Sequence, residues 1–193
     1  VITLTNPLDT MNYLMWKLSG LDRRRVLGSA GMLDSARFRN VLSGRCRTPV
    51  LDVDAYVIGE HGDNQVPVFS QVKIRGEKKT FSGQEKLEIV DELRNYALKV
   101  IAKKGRTIYA PANNTANMGQ SILRNERRLT VCSMVLDGEY GLKNVSIGVP
   151  VILGRDGAEE TTEWDLDEQE KRDFYKGAES LRKTINEIAP HVA

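Results

Sequence analysis

Residues 1–28 read VITLTNPLDTMNYLMWKLSGLDRRRVLG and carry the clearest fold signal of the chain. Residues 1–5 are a short β-rich run that Asn6-Pro7 ends, and residues 26–28 indicate a second buried strand. Residues 9–18 between them have helical spacing. The apolar positions of that helix are Leu14, Trp16 and Leu18. A strand, a helix and a strand within about 30 residues predict a βαβ unit, the building block of parallel sheets.

Beyond residue 30, longer helices and strands follow. We predict helices over residues 34–42, 85–103 and 112–124, and a last helix from a cap at Asp165 or Asp167 to about residue 188. We predict strands over residues 50–58, 66–74, 131–136 and 145–153, with a hairpin turn at residues 76–79. The apolar stripe of residues 85–103 is Leu87, Val90, Leu93, Ala97 and Val100. Antiparallel strands beside long helices predict an α+β domain joined to the parallel unit.

The composition is that of a globular protein and limits the classes of partner. Of the 193 residues, 40% are apolar and 28% are charged, and the net charge is +2. Since basic residues form only short runs, we expect no nucleic-acid partner. No apolar run approaches the roughly 20 residues that span a bilayer, and no secretory signal is visible, so we expect no membrane partner. Two distant thiols, Cys46 and Cys132, favour a reducing compartment, and we expect the cytoplasm.

The chain begins at Val1, inside an apolar strand-like run. The first residues of a domain are usually exposed and poorly ordered, unlike a buried strand. A lone βαβ unit also cannot form a stable sheet by itself. Both observations predict that the sequence is the later piece of a longer polypeptide.

His61 is the leading candidate for proton transfer. It follows a predicted strand and lies between Glu60 and Gly62, in a loop that glycine allows to bend sharply. Imidazole exchanges protons near neutral pH. On its own, however, a histidine at a strand end is more often structural than catalytic. The second histidine, His191, is close to the C-terminus, where we expect fraying and no functional role.

Three further residues are candidates for binding. Asp34 and Arg37 lie three apart at the start of a predicted helix and so share a face. A guanidinium can clamp a carboxylate and a carboxylate can orient an imidazole, but a helix cap beside a surface arginine explains the spacing more simply. Asn6 follows a strand at the edge where parallel sheets bind ligands, although a plain strand-to-helix turn is an equal alternative. Zinc, P-loop and serine-hydrolase motifs are absent from the sequence.

Three segments resemble the lactate/malate dehydrogenase family in their order and separation. They are VITLTNPLD (residues 1–9), GMLDSARFR (residues 31–39) and IGEHGD (residues 58–63). Further matches are Val66-Pro67 with Ser70, Lys104-Gly105 with Thr107, and Gly148-Val149-Pro150. The resemblance runs from Val1 to the last helix. It implies an α/β fold in which residues 1–30 are the end of a Rossmann dinucleotide-binding domain. Residues 31–193 are then the α+β C-terminal catalytic domain of the family.

The resemblance also implies roles in substrate chemistry. His61 corresponds to the catalytic acid/base, and Asp34 to its carboxylate partner. Arg37 corresponds to the clamp on the C1 carboxylate of the substrate. Thr107 corresponds to a residue of the pocket wall that faces the variable end of the substrate.

The implied cofactor is NAD, with NADP as an alternative. Asn6 corresponds to the residue that meets both the substrate and the nicotinamide ribose, and the backbone at Leu4 and Thr5 lies along the cofactor. In the family, the glycine-rich dinucleotide motif, the ribose-binding acid and the mobile loop that selects the substrate precede the position of Val1. Ala110-Pro111-Ala112 also departs from the commoner Gly-Pro-Ala. We therefore expect the chain alone neither to bind NAD well nor to turn over.

The resemblance favours (S)-malate and oxaloacetate as the substrate pair. Residues 30–34, AGMLD, resemble malate-oxidising members, whereas lactate-oxidising members usually carry Gly-Thr-x-Leu-Asp. Residues 33–83 resemble archaeal malate-oxidising members of the lactate-dehydrogenase-like group. L-lactate or another 2-hydroxy acid is the alternative substrate, and a hypothesis from another class is a non-catalytic fragment that keeps the fold for binding or assembly. The family further implies a small 2-hydroxy or 2-keto acid as ligand and a homo-oligomer, either a dimer or a tetramer.

Overall fold

The computed structural model describes residues 1–188, apart from the side chains of residues 97, 98 and 104. Within that range the chain forms five α-helices and ten strands. The helices are α1 (Leu8–Ser19), α2 (Gly31–Cys46), α3 (Gly83–Lys104), α4 (Tyr109–Leu123) and α5 (Glu168–Ile188). The strands are β1 (Ile2–Thr3), β2 (Leu27–Gly28), β3 (Val53–Asp54), β4 (Val57–Gly59), β5 (Gln65–Pro67), β6 (Lys73–Ile74), β7 (Glu77–Lys78), β8 (Arg128–Asp137), β9 (Lys143–Gly154) and β10 (Gly157–Thr161).

Seven of these strands form one mixed sheet. Its order is β1-β2-β8-β9-β4-β5, with β10 paired to β9. β1 and β2 are parallel, with Ile2 opposite Leu27, which confirms the predicted βαβ unit. The other pairs are antiparallel, and Gly28 opposite Ser133 joins β2 to β8. Because the sheet continues across residue 30, the division of the chain into domains at that point stays a prediction.

The core is built on the long hairpin of β8 and β9. Both strands were predicted, and both are longer than predicted because their pairing continues past the buried run, to Arg128 opposite Leu153 at one end and Asp137 opposite Lys143 at the other. Helices α1, α2, α4 and α5 pack against it. One face of α5 is buried there, through Phe174, Ala178, Leu181 and Ile185. Asp167 caps that helix, as one of the two predicted caps, by accepting the backbone N–H groups of Gln169 and Glu170.

The buried face of α1 differs from the predicted one. Its buried residues are Leu8, Asp9, Thr10, Asn12 and Tyr13. Leu18, which was predicted to face the core, is 68% exposed. The physical reason is that α1 follows β1 after a short turn, so that its first half packs on β8 and β9 while its last residues extend into solvent.

The stripe predicted for α3 is also partly wrong. Ile89 and Leu93 are buried, whereas Leu87 is 68% exposed. The helix packs against α2, so a narrow stripe with a spacing of four residues is enough to cover the contact. At the edge of this contact Arg45 of α2 forms ion pairs with Glu88 and Glu92. The side chain of Ala97 lies outside the described part of the chain.

The strands predicted over residues 50–58 and 66–74 are wrong as single elements. A 3-10 turn at Val50–Asp52 follows Pro49, and the chain then forms two separate strands, β3 and β4. A second 3-10 turn, Phe69–Gln71, separates β5 from β6. β3, β6 and β7 form a small sheet of their own. Its hairpin turn lies at Arg75-Gly76, where both residues have left-handed φ values, and not at residues 76–79.

The close approach of β4 to β9 depends on a pair of glycines. Gly59 lies opposite Gly148 on the adjacent strand. Gly59 has a φ of +87°, which residues with side chains rarely adopt. A Cβ at position 148 would lie 2.8 Å from the carbonyl oxygen of Gly59. Since β4 leads directly to His61, this approach determines where the histidine lies.

We predict that Gly148→Ala lowers the free energy of unfolding by about 1–3 kcal/mol, because the added methyl group pushes β4 away from β9. Gly119→Ala in α4 is a matched control, since a Cβ there meets no atom within 4 Å. The control should raise the free energy of unfolding by about 0.5–1 kcal/mol. Urea unfolding followed by circular dichroism measures both variants. A Gly148→Ala variant as stable as the unsubstituted chain would contradict the close packing of these strands.

Candidate active site

A buried serine aligns the strand that carries His61 with helix α2. The hydroxyl of Ser35 donates to the carbonyl oxygen of Gly31 at 2.6 Å and accepts the backbone N–H of Val57 at 2.9 Å. This contact fixes the start of β4 against the first turns of α2. His61, two residues after β4, therefore lies beside Asp34 on that helix.

The carboxylate of Asp34 is shared between a histidine and an arginine. Its Oδ2 lies 2.6 Å from Nδ1 of His61, and its Oδ1 accepts a hydrogen bond from Nη1 of Arg37 at 2.9 Å. Asp34 is 4% exposed and lies near the start of α2, where the helix dipole favours a negative charge. The structure thus brings together three of the predicted residues. With Nδ1 occupied by Asp34, Nε2 is the ring nitrogen available to a ligand.

The electrostatic surroundings raise the pKa of His61 above its usual value of 6.5. Burial of the imidazole acts in the opposite direction, because it disfavours the charged form. The hydrogen bond and the charge of Asp34, together with the charge of Asp9, outweigh burial and the repulsion from Arg37. The site therefore stabilises the protonated form of the ring relative to a free imidazole.

Asp9 is a site residue to which the sequence analysis gave no role. Its Oδ2 accepts the backbone N–H of His61 at 2.7 Å, and the side chain is buried at the start of α1. Burial raises the pKa of Asp9 to about 6, against the effect of nearby Ser133 and of the His61 amide. The available signal was its place in the sequence, three residues after Asn6 at the end of a strand. Helical periodicity alone does not distinguish a buried polar residue from an exposed one.

Arg37 also lines a cavity of about 550 Å³ between α2, α3 and the start of α4. Thr107 lies on the wall of this cavity, so this predicted residue lines the same cavity as Arg37. Arg106 is a second positively charged residue of the wall, and none of the described residues that line the cavity is acidic. The apolar part of the wall is Leu33, Ala36, Val50, Val100, Ile108 and Ala110. His61 does not line this cavity, and Arg37 is the residue that connects it to the Asp34 cluster.

The predicted cofactor segment is exposed at the end of β1. Leu4, Thr5 and Asn6 are all exposed, and a cis Asn6-Pro7 peptide leads into α1. Within residues 1–188 no hydrogen bond joins Asn6 to the Asp34 cluster, and the segment approaches that cluster through Asp9 in the following helix. The contacts predicted for these three residues stay predictions. His191 lies outside the described residues.

Other kinds of site have little support in the described part of the chain. No group of three or more His, Cys, Asp or Glu side chains in residues 1–188 is arranged to hold a metal ion. The described helices include none that is long and apolar enough to cross a bilayer. Cys132 is buried, and burial raises the pKa of its thiol to about 12, which disfavours the reactive thiolate.

Comparisons with known proteins point to one family. The model of the lactate/malate dehydrogenase alpha/beta C-terminal domain matches residues 31–192. A malate dehydrogenase of Haloferax volcanii is 46% identical over 188 residues, which cover 97% of this chain and 62% of the relative. An L-lactate dehydrogenase of Bacillus velezensis is 41% identical over 200 residues, which cover 100% of this chain and 62% of the relative. The solved structure of the malate dehydrogenase from Aeropyrum pernix matches with a TM-score of 0.94 at 33% identity, covering 100% of this chain and 66% of that chain.

The chain thus spans 62% of the length of these curated relatives. The matched domain and the solved structure confirm the predicted α/β fold class and the C-terminal domain of the family. That residues 1–30 are the end of a Rossmann domain stays a prediction. The chain belongs to the lactate/malate dehydrogenase family.

Proposed function

We propose that the protein is an NAD-dependent malate dehydrogenase, and that this chain carries its proton-transfer and substrate-binding residues. The observation that carries the proposal is the single Asp34 carboxylate, which contacts the His61 ring at 2.6 Å and the Arg37 guanidinium at 2.9 Å. This arrangement supports the proposal, because the oxidation of a 2-hydroxy acid requires a proton carrier beside a carboxylate-binding group. Membership of the family supports the same class of reaction.

In this proposal His61 moves the proton of the substrate hydroxyl. Its Nδ1 donates to Asp34, so the unprotonated Nε2 accepts the hydroxyl proton of malate. The Asp34 carboxylate stabilises the imidazolium that results. In the reverse direction the imidazolium donates a proton from Nε2 to the carbonyl oxygen of oxaloacetate.

Arg37 holds the carboxylate next to the reacting carbon. Its Nη1 is bound to Asp34, and this ion pair restricts the guanidinium to one orientation. A guanidinium has five N–H donors, so several remain for a bidentate contact with the substrate carboxylate. Such a contact holds the hydroxyl carbon in place beside His61, which is a positioning effect on the rate.

We assign NAD, or NADP, to the exposed segment at the end of β1. Parallel strands bind ligands beyond their carboxyl ends, and β1 and β2 are the parallel pair of the sheet. The exposed apolar side chain of Leu4 fits a flat ring, and the exposed amide of Asn6 can pair with ribose hydroxyls or the substrate. The bound cofactor would accept the hydride from C2 of the hydroxy acid.

Two observations favour malate over lactate. The cavity beside Arg37 contains a second cationic residue, Arg106, which suits a substrate with two carboxylates. The archaeal malate dehydrogenase of Haloferax volcanii is 46% identical to this chain, against 41% for the lactate dehydrogenase of Bacillus velezensis. Lactate remains the second candidate because of that similarity. The cytoplasm and assembly into a dimer or a tetramer stay predictions.

The test is NADH oxidation by the longest natural form of the protein, with oxaloacetate and pyruvate compared separately. We expect kcat/KM to be at least about 100-fold higher for oxaloacetate, because only this substrate can engage both arginines. Repeating the assay with NADPH identifies the cofactor. Faster turnover of pyruvate would assign lactate instead, and no turnover of either would favour the non-catalytic fragment.

His61→Asn should lower kcat by about 10²–10⁴-fold in the same assay, because asparagine cannot exchange the proton. The Kd of NADH should change little, since the segment assigned to the cofactor lies at the end of β1. Asp63→Asn is the control, because it alters an exposed residue of the same loop and should leave kcat unchanged. A His61→Asn enzyme that retains the original kcat shows that another group carries the proton.

The pH dependence of the two directions should be opposite. Because the pKa of His61 is raised, the imidazolium that reduces oxaloacetate persists above the usual value of 6.5 and is lost as the pH rises through the raised pKa. The kcat/KM for oxaloacetate should fall over that range, while that for malate rises. Asp34→Asn removes the charge that favours the imidazolium. The fall of kcat/KM for oxaloacetate and the rise of kcat/KM for malate should therefore both move to lower pH. If the pH dependence of kcat/KM in Asp34→Asn equals that of the unsubstituted enzyme, the proposed Asp34–His61 pair is wrong.

A further inference from the structure

We propose that Asp9 is a positioning residue for the reaction, which holds the His61 loop in place and adds a second negative charge beside the imidazole. The inference takes from the proposed function only that His61 carries the proton. Asp9 lies on α1, in a different element from Asp34 and Arg37, and was not among the predicted site residues. It acts through His61 rather than on the substrate.

The contact between Asp9 and the loop is well defined. Oδ2 of Asp9 accepts the backbone N–H of His61 at 2.7 Å, across 52 residues of sequence. The side chain of Asp9 is nearly inaccessible, with 2% of the residue exposed. Among the described residues, the bond from the His61 amide is the one hydrogen bond of normal geometry to the Asp9 carboxylate. Oδ1 of Asp9 and the hydroxyl oxygen of nearby Ser133 are buried and have no hydrogen-bond partner within residues 1–188. The Asp9 carboxylate therefore binds the His61 loop through the backbone amide of His61.

The charges around His61 include a second acid besides Asp34. Asp34 and Arg37 face it from α2, Asp9 faces it from α1, and Glu60 precedes it in the chain. The Glu60 carboxylate accepts a hydrogen bond from the side-chain amide of Asn64. With the imidazole protonated, Asp34, Arg37 and His61 together carry a net charge of +1. The charge of Asp9 makes this partly buried cluster neutral, which lowers the cost of forming the imidazolium.

The two groups should titrate as a coupled pair. A positive charge on His61 lowers the pKa of Asp9, and a negative charge on Asp9 raises the pKa of His61. Such coupling is reciprocal, since each proton changes the free energy of binding the other. A purely structural Asp9 would hold the loop without this mutual effect.

The substitution Asp9→Asn separates the two proposed roles of Asp9, which are to hold the His61 loop and to supply a negative charge near the imidazole. The amide oxygen can still accept the N–H of His61, whereas the charge is lost. The probe is the ring-proton NMR titration of His61, which is simple because the chain has only two histidines. Spectra of His61→Asn identify which signal belongs to residue 61.

We expect Asp9→Asn to move the His61 midpoint to lower pH by about one unit. Asp63→Asn removes the same charge from an exposed position two residues after His61, and should leave the midpoint in place. Because these titrations need neither substrate nor cofactor, they are independent of whether the enzyme turns over oxaloacetate. A His61 midpoint in Asp9→Asn equal to that of the unsubstituted chain overturns the electrostatic role.

A second measurement avoids changing Asp9 at all, in case Asp9→Asn does not fold. The carboxyl carbon of Asp9, followed by ¹³C NMR with labelled aspartate, should titrate near pH 6 in the unsubstituted chain. In His61→Asn the midpoint of Asp9 should rise, because the neighbouring positive charge is gone. An Asp9 midpoint that is the same with and without the imidazole overturns the proposal.

Discussion

One buried carboxylate holds the candidate site together. Asp34 binds the His61 ring through one oxygen and the Arg37 guanidinium through the other. An ionised acid removed from water costs several kcal/mol unless it is paired, and here its partners are the two groups that the proposed reaction uses. The contacts that stabilise the acid therefore also orient the proton carrier and the carboxylate clamp. A change in any one of the three side chains alters the surroundings of the other two.

The fold brings this cluster together from three distant segments, each of which packs against the β8–β9 hairpin or a strand beside it. Helix α2 lies on β8, and β4 pairs with β9 through the contact between Gly59 and Gly148. Helix α1 packs on both strands and carries Asp9 to the amide of His61. Ser35 ties α2 to β4 directly. The hairpin therefore sets the distance between the acid and the imidazole, although it contributes neither.

The sequence predicted the central residues better than it predicted their supports. Asp34, Arg37 and His61 lie in motifs specific enough to identify a family, and the parallel pair followed from its β-rich runs. The predictions of the buried faces of α1 and α3 were partly wrong, because periodicity shows an apolar stripe on a helix but not which neighbouring element covers it. Asp9 was missed for the same reason, since a polar residue becomes a buried partner only when a loop 52 residues away arrives beside it. The breaks in residues 50–74 depend on local turns that β-propensity does not register.

The hydrogen bond between Asp34 and His61 is tested most directly by the ¹⁵N spectrum of the His61 ring, recorded above its titration and identified by its loss in His61→Asn. If Nδ1 donates to Asp34, the neutral ring should carry its proton on Nδ1, with Nε2 unprotonated and ready to accept the hydroxyl proton. A neutral ring with its proton on Nε2 would leave the carboxylate without this donor. That result would contradict the assignment of His61 as the proton acceptor of the reaction.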